Sequence, residues 1–304
     1  MKPLKTEQQN PRSRGLDKKS SLAIVRLINS EDARVAAAVR QELPKIAAAV
    51  DAIVDSLSRG GRLFYVGAGT SGRLAFLDAA ECPPTFGTAP SLVQAVVAGG
   101  SRAMRQAVEG AEDSARNGAL DLKKRRLAPR DVVVGIAASG TTPYVLGAIR
   151  YSRQVGARTI GLTSNAASPL ARLTDISIAP NTGPEVLSGS TRMKAGTSQK
   201  MVLNMLSTAA MVRLGKVYEN WMVRLKLTNE KLQKRAARIL EQAAGVSPSK
   251  ARHALRQARH DLPLAIVMLR TGADSREAQR RLLLSRGNVR LAMSGANTLH
   301  AGEK

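Results

Sequence analysis

From residue 61 onward, short β-rich segments alternate with longer helical ones, and this alternation limits the fold more than any other feature of the sequence. Apolar runs typical of buried strands occupy residues 63–66, 92–97, 132–136, 159–162 and 176–179. Helical stretches lie between most of these runs, an order that builds a parallel sheet with helices on both faces. We therefore predict a doubly wound α/β domain whose ligand binds beyond the carboxyl ends of the strands.

A glycine-rich loop, Gly67-Ala-Gly-Thr-Ser-Gly72, follows the first predicted strand and precedes a helix predicted from about Arg73. Backbone N–H groups and hydroxyls at the start of a helix are well suited to bind a phosphate. Dinucleotide-binding proteins use a similar loop, but they place an acid about 20 residues further on to hold the ribose. The next predicted strand ends here in Ala98-Gly99-Gly100 without such an acid, so we do not expect NAD or FAD.

Two more segments rich in hydroxyl groups, residues 137–143 and 187–197, also precede predicted helices. Helix capping by serine or threonine explains any one of these loops. Three of them together favour a sugar phosphate as the ligand. The candidates for binding its phosphate or its hydroxyls are Gly69, Thr70, Ser71, Ser139, Thr141, Thr142, Ser190 and Thr191, with Arg192 and Lys194 as cations for an anionic group.

Glu81 is the carboxylic acid best placed for proton transfer. It follows the glycine-rich loop by one helix, and Pro83-Pro84 are predicted to end that helix just beyond it. Apolar neighbours predict a partly buried carboxyl, which suits a general acid. Glu109 and Glu112 are two further candidate acids, and their spacing places them on one face of a predicted helix. Their spacing does not choose between them.

Histidine and metal chemistry have little support in this sequence. The histidines His253, His260 and His300 all lie far downstream of the glycine-rich loops, and the single cysteine, Cys82, is predicted to be a small buried residue. We therefore expect carboxylates, lysines or tyrosines to transfer protons. We expect no metal and no other cofactor.

The net charge of +24 raises the question of nucleic acid as a partner. Residues 231–304 carry 15 lysine and arginine residues against 5 acids, but they contain no aromatic residue that could stack on bases. We interpret the charge as the basic surface of an enzyme and do not expect nucleic acid as a partner.

The sequence also predicts where the protein resides. No apolar run is long enough to cross a bilayer, and residues 1–10 lack the apolar core of a secretory signal. A single cysteine fits a reducing compartment. We therefore predict a cytoplasmic protein without a membrane partner.

Three parts of the chain are predicted from the change in pattern. Residues 1–54 form an N-terminal arm and helices, residues 55–230 the ligand-binding domain, and residues 231–304 a small helical bundle. Residues 1–20 are predicted to be an extended arm, and residues 35–57 a long helix kinked at Pro44. Helices are predicted in the last part over residues 231–244, 248–259, 262–270 and 274–285, with residues 294–304 frayed.

A set of motifs distributed along the chain indicates a known family. They are Thr6-Glu7, Asn10-Pro11, Leu16-Asp17, Ile28-Asn29, Glu31-Asp32, residues 67–85, Val108-Glu-Gly-Ala-Glu-Asp113, residues 132–145, residues 189–196 and Asn204-Met-Leu-Ser207. With these motifs the sequence resembles the bacterial N-acetylmuramic acid 6-phosphate etherases over nearly its whole length. The resemblance implies a sugar isomerase (SIS) fold, a homodimer, no metal, and a C-terminal segment similar to ubiquitin-associated three-helix folds. Thr141 departs from the family, which usually has arginine at that position.

The resemblance also implies roles for particular residues. In that family the glutamate before Cys-Pro-Pro is the proton donor and the second glutamate of Glu-Gly-Ala-Glu is the other active-site acid, which here are Glu81 and Glu112. Glu109 is thereby set aside. Arg192 or Lys194 would contact the phosphate or the lactyl carboxylate.

The implied reaction is cleavage of the C3 D-lactyl ether of N-acetylmuramic acid 6-phosphate, by elimination and then addition of water. Once the sugar opens to its C1 aldehyde, Glu112 would remove the C2 proton, Glu81 would protonate the leaving oxygen, and Glu112 would assist water to add at C3. The products would be N-acetylglucosamine 6-phosphate and D-lactate, in recycling or catabolism of cell-wall amino sugars. Two alternatives of the same fold stay open: a non-catalytic sugar-phosphate sensor, similar to glucokinase regulatory protein, and an aldose–ketose sugar phosphate isomerase.

Overall fold

The computed structural model describes residues 5–225 and 230–294, which contain a parallel sheet of five strands. The strands are β1 (Leu63–Gly67), β2 (Val93–Val97), β3 (Val132–Ile136), β4 (Arg158–Leu162) and β5 (Ile176–Ile178). They lie in the order β2-β1-β3-β4-β5, and each neighbouring pair is parallel. The doubly wound α/β fold is confirmed, and no strand end differs from its predicted position by more than one residue.

Helices precede, separate and follow the strands. Up to the last strand they are α1 (Ser21–Asp32), α2 (Val35–Arg40), α3 (Leu43–Ser58), α4 (Gly69–Phe86), α5 (Ala115–Lys124), α6 (Pro143–Val155) and α7 (Pro169–Leu173). After it come α8 (Lys194–Arg213), α9 (Glu230–Ala244), α10 (Pro248–Gln257), α11 (Leu262–Thr271), α12 (Ser275–Leu284) and α13 (Val289–Ser294). Across the described ranges, no helix is both long and apolar enough to span a bilayer.

The sheet is covered on both faces, because its two central strands are apolar and buried along their whole length. Every residue of β1 and β3 is buried. Phe64 and Val133 pack with Val145 of α6 in one core cluster. Side chains alternate between the faces of a strand, and α3 contacts β1, β3 and β5 through an apolar stripe that includes Ile46 and Ile53.

Two glycines allow α5 and α6 to approach closely. A Cβ atom on Gly118 would lie 2.0 Å from the carbonyl oxygen of Tyr144, and one on Gly147 would lie 2.0 Å from that of Ala115. Any larger residue would therefore push the helices apart. The contact also fixes the segment before α5, because the Tyr144 N–H donates to the carbonyl oxygen of Glu112 at 2.9 Å.

The chain divides into two compact units. The first comprises Met1–Ala80 and Pro90–Ala210 and contains the sheet, and the second comprises Glu81–Ala89 and Met211–Lys304 and contains α9 to α13. Within the second unit, Leu240, Leu255 and Ile266 belong to a separate apolar core. The predicted limits at residues 54 and 230 stay a prediction.

The extended arm predicted over residues 1–20 is wrong for the residues that the structure describes, which begin at residue 5. Short 3-10 turns form at Lys5–Glu7, Pro11–Ser13 and Leu16–Lys18, and the side chain of Asn10 is buried. Its amide donates to Glu31 Oε2 at 2.9 Å and to the carbonyl oxygen of Pro184 at 3.2 Å. These partners are distant in sequence, so local polarity gave no sign of them.

Proline has less effect on the helices than predicted. The long helix predicted over residues 35–57 is two helices, and Pro44 lies in the first turn of α3, where its missing N–H costs no hydrogen bond. Helix α4 begins at Gly69 and continues through Pro83 and Pro84 to Phe86. The two prolines lie in its last turn, where each removes one N–H donor, and the Gly87 N–H closes that turn by donating to the carbonyl oxygen of Pro83 at 3.0 Å.

The C-terminal helices lie where the sequence predicts them, within a few residues at each end. Helix α13 was not predicted, because its six residues are too few to show a helical apolar period. Fraying was predicted for residues 294–304. All of these except residue 294 lie outside the described residues.

Candidate functional site

The strand order places two of the three hydroxyl-rich loops side by side. The chain passes from β1 to β2 on one side and continues from β3 through β4 to β5 on the other, so β1 and β3 flank the switch point of the sheet. In folds of this type a ligand binds there, at the carboxyl ends of the strands. Residues 68–72 follow β1 and residues 137–143 follow β3, at that end of the sheet.

The loop after β1 needs glycine at three positions for two different reasons. A Cβ atom on Gly67 would lie 2.8 Å from the Gly72 nitrogen, and one on Gly72 would lie 2.6 Å from Cγ1 of Val97. Gly69 has a φ of +52°, a left-handed conformation that other residues rarely adopt. The loop therefore turns tightly and presents the first N–H groups of α4 to solvent, an arrangement suited to an anion.

The start of α8 lies beside the start of α4, which brings the third hydroxyl-rich segment to the first. The Ser71 hydroxyl donates to Gln199 Oε1 at 2.9 Å. A Cβ atom on Gly196 would lie 3.5 Å from Cγ2 of Thr70. Gln199 is 2% exposed, and its Nε2 has no hydrogen-bond partner in the described part of the chain. Sequence analysis missed Gln199, because a glutamine inside a helix carries no pattern of its own.

The loop after β3 is held by contacts with the loop after β4. The Asn165 amide donates to the carbonyl oxygens of Ala138 and Ser139 at 3.1 and 3.2 Å. Thr141 is exposed, and its hydroxyl donates to Ser139 Oγ at 2.9 Å. Thr142 lies directly before α6 and has no side-chain capping bond. Capping therefore does not account for the hydroxyl of Thr142.

A cavity of about 400 Å³ joins the glycine-rich loop to the second acidic segment. Gly69, Arg73, Glu109 and Glu112 are among the residues that line it. The helix predicted over these two glutamates is wrong. Within residues 104–113 the glutamates lie in turns, and Gly110 between them has a φ of +68°. Both glutamates are exposed and line the same cavity, so the geometry does not choose between them.

Glu81 lies on α4 and is exposed in the single chain, so its predicted partial burial is wrong. Its apolar neighbours Ala79 and Cys82 are buried on the other side of the helix. Leu77, Ala80 and Pro84 share the exposed side with Glu81, at the spacing of one helical face. The same pattern confirms that Cys82 is a small buried residue.

Asp78, one turn before Glu81 and 6% exposed, was missed as a polar centre. Its Oδ1 accepts from Asn204 Nδ2 at 2.8 Å and from Ser207 Oγ at 3.1 Å. Burial raises the pKa of Asp78 above its ordinary 3.8, although hydrogen bonds from Ser207, Tyr65 and Asn204 act in the opposite direction. The network ties α4 to α8 and so supports the two loops at their starts.

The titration of Asp78 should be visible in the stability of the fold. Because its folded pKa is raised, the folded state keeps this proton at a pH where the unfolded chain has lost it. Stability should therefore fall as pH rises from 3.8 through the raised folded value. Melting curves of wild type and Asp78→Asn over this range are expected to differ in slope, with the wild type losing Tm more steeply. Parallel curves would contradict the raised pKa.

The cations of the third segment have different surroundings. Arg192 is exposed, and Ser190 and Thr191 are partly exposed. Lys194 is 1% exposed, and its Nζ lies 2.5 Å from Glu31 Oε2. The prediction that Lys194 contacts a substrate anion is therefore wrong, since its ammonium group is paired with a buried carboxylate.

No cluster of histidine, cysteine, aspartate and glutamate within residues 5–225 and 230–294 has the arrangement to hold a metal ion.

The fold is that of the SIS domain. Residues 45–153 match the glucokinase regulatory protein N-terminal SIS domain, and residues 109–209 match the SIS domain. A phosphoheptose isomerase from Francisella tularensis superposes with a TM-score of 0.53 at 18% identity, over 64% of this chain and 100% of the other. One from Neisseria gonorrhoeae gives 0.50 at 17% identity, over 63% and 99%. These structures show the SIS fold alone.

Two curated relatives cover almost the whole chain. An N-acetylmuramic acid 6-phosphate etherase from Yersinia pestis (strain Pestoides F) is 52% identical over 288 residues, which is 95% of this chain and 98% of the relative. The etherase from Yersinia pseudotuberculosis serotype O:1b (strain IP 31758) gives the same values. The chain therefore belongs to the N-acetylmuramic acid 6-phosphate etherase family.

Proposed function

We propose that this protein cleaves the C3 D-lactyl ether of N-acetylmuramic acid 6-phosphate, giving N-acetylglucosamine 6-phosphate and D-lactate. The observation that carries the proposal is the 52% identity, over 95% of the chain, to relatives named as etherases for this substrate. The arrangement of the loops supports it, since all three hydroxyl-rich segments adjoin the starts of α4, α6 and α8.

The phosphate binds at the start of α4, where the glycine-rich loop presents backbone N–H groups and the helix dipole favours an anion. The Ser71 hydroxyl already donates to Gln199, so its lone pairs serve donors of the substrate. Gly69, Thr70, Ser139, Thr141, Thr142, Ser190 and Thr191 contact the phosphate or the sugar hydroxyls, and Arg192 contacts an anionic group. Arg192 is the exposed cation of the third segment, which gives it access that Lys194 lacks.

An ether resists hydrolysis at neutral pH, so the reaction proceeds by elimination. The open-chain aldehyde at C1 makes the C2 proton acidic, and the carboxylate of Glu112, on the lining of the 400 Å³ cavity, removes it. The lactyl oxygen then leaves C3 with a proton from Glu81. Glu112 then assists water to add at C3 by returning its proton to C2, while Glu81, now a carboxylate, takes the proton that the water releases, so both carboxyl groups return to their starting states. The protein works in the cytoplasm, where a lone buried thiol stays reduced.

The enzyme acts as a homodimer. The exposed side of α4 carries Phe76 and Leu77, which are 48% and 51% exposed on the single chain. Large apolar side chains at this exposure favour contact with another protein surface. Glu81 lies beside them on the same helix, so a second copy that covers these side chains also encloses the carboxyl.

The test is release of D-lactate from N-acetylmuramic acid 6-phosphate by the purified full-length chain, followed with a D-lactate dehydrogenase. Lactate and N-acetylglucosamine 6-phosphate in equal amounts are the expected result. Binding of the sugar phosphate without lactate would replace the etherase with a sensor. Interconversion of aldose and ketose phosphates without lactate would replace it with an isomerase.

A further inference from the structure

Three charged side chains from distant parts of the chain meet in the interior next to the third hydroxyl-rich segment. Glu31 of α1 is 0% exposed, and Glu185 and Lys194 are each 1% exposed. Buried charges need partners, and here each has one. None of the three has a place in the reaction described above, so their position next to Ser190 and Thr191 calls for another explanation.

Carboxylates hold both the backbone N–H and the side-chain ammonium group of Lys194. Its side-chain Nζ donates to Glu31 Oε2 at 2.5 Å. Its backbone N–H donates to Glu185 Oε2 at 3.0 Å, and the N–H of Ala195 donates to Glu185 Oε1 at 2.9 Å. The residue at which the loop becomes α8 is thus held by one carboxylate on its backbone and another on its ammonium group.

The N-terminal segment holds the other end of the same loop. The Asn10 amide bridges Glu31 Oε2 and the carbonyl oxygen of Pro184, and Arg12 Nη1 lies 2.8 Å from Glu31 Oε1. The Ser188 hydroxyl lies 3.4 and 3.3 Å from the carbonyl oxygens of residues 7 and 8. Glu31 is therefore the centre of a network that reaches both the start of the loop, at residue 184, and its end, at residue 194.

Stability alone is a weak reason for such a pair. Burial by itself raises the pKa of Glu31, but Lys194, Asn10 and Arg12 outweigh it and lower that pKa, so the carboxylate is charged. Removing two charges from water is costly, and well-packed apolar side chains of similar volume often replace a buried ion pair without loss of stability. A directional contact that fixes the backbone is a role that apolar side chains cannot supply.

We propose that Glu31 and Lys194 are positioning residues, which hold the loop over residues 187–193 in the conformation that binds the substrate. The proposal rests on the etherase function and on Ser190, Thr191 and Arg192 as binding residues. A loop that binds the substrate and the transition state equally affects KM and leaves kcat almost unchanged. Misplacement of a binding group by about 1 Å can cost roughly 100-fold, and for a group that binds both states equally this cost appears in KM.

The test compares Lys194→Met, Glu31→Gln and the double variant with wild type, measuring Tm and the KM and kcat for D-lactate release. Each single variant leaves one buried polar or charged group without its partner and is expected to lower Tm. The double variant should recover Tm, while its KM stays raised by roughly 10- to 100-fold with kcat little changed. Recovery of both Tm and KM in the double variant would overturn the proposal.

The matched control is the ion pair between Arg62 and Asp131 at the opposite ends of the same strands. Arg62 Nη2 lies 2.7 Å from Asp131 Oδ2, and these residues directly precede β1 and β3. Asp131→Asn should lower Tm and leave KM unchanged. A rise in KM for this control as large as for the double variant would show that instability alone raises KM, and would overturn the proposal.

A milder variant covers the case in which the charge variants do not fold. Asn10→Ala removes the bridge between Glu31 and Pro184 without leaving a charge unpaired, and it should raise KM by a smaller factor. An unchanged KM would contradict the proposal.

If wild type itself releases no lactate, the etherase function fails first. Thermal shifts with N-acetylglucosamine 6-phosphate then test the loop, and the double variant should show a smaller shift than wild type.

Discussion

Replacing Glu81 with glutamine is expected to lower the rate of D-lactate release by about 10² to 10⁴-fold, the usual contribution of a general acid. Glutamine keeps the size of the side chain but has no acidic proton for the lactyl oxygen. Glu81 is exposed on the single chain, so the substitution should leave the fold and the Tm unchanged. The measurement is kcat for lactate release, with a melting curve as the control for folding.

The specific role of Glu81 is tested by separating the two bonds that break. In D₂O, Glu81→Gln should still exchange the C2 proton of the substrate for deuterium, because Glu112 performs that step. An analogue with a more acidic alcohol as the C3 leaving group should recover most of the lost rate, since it leaves without protonation. A variant that loses exchange as well, or that gains nothing from the better leaving group, would contradict the assignment.

Replacing Glu112 with glutamine is expected to lower lactate release by a similar factor, about 10² to 10⁴-fold, through a different step. Without this carboxylate the C2 proton is not removed, so deuterium exchange should disappear together with lactate release. The better leaving group should give no recovery. The two variants are therefore distinguished by exchange at C2, measured by NMR or mass spectrometry.

Glu109 is the matched control for Glu112. It lines the same cavity, is also exposed and lies in the same run of turns. Glu109→Gln should change kcat by only a small factor, because the family resemblance assigns the base to the second glutamate. A loss for Glu109→Gln equal to that for Glu112→Gln would show that the cavity needs its negative charge rather than one particular base.

The sheet could be predicted because its signals are local. Each strand is a short apolar run, and the strands of β1 and β3 are buried along their whole length, so their sequences needed no knowledge of partners. The glycine-rich loop was equally readable, since Gly67 is required by its contact with Gly72 inside the loop and Gly69 by its left-handed φ.

The predictions that failed depend on contacts between distant residues. Asn10 looks like part of a polar arm until Glu31 and Pro184 are placed beside it. In the sequence, Lys194 is a candidate cation for a substrate anion. Only the fold shows that its ammonium group is paired with Glu31, which is 163 positions away. Glu81 has apolar neighbours in sequence, but the helical period turns Ala79 and Cys82 to the buried side and leaves Leu77, Ala80 and Pro84 exposed beside its carboxyl.

The length of α4 sets a limit on how its two functional ends can cooperate. Ala80, the residue before Glu81, lies about 16 Å along the helix axis from Gly69, at 1.5 Å per residue. That separation exceeds the reach of a glutamate side chain to a sugar phosphate bound at the start of its own helix. In a homodimer the acid of one subunit can instead serve the loop of the other. Two variants that are inactive alone, one altered at Glu81 and one at Glu112, would then form a mixed dimer with one intact centre, and the enzyme would be a catalyst only as a pair.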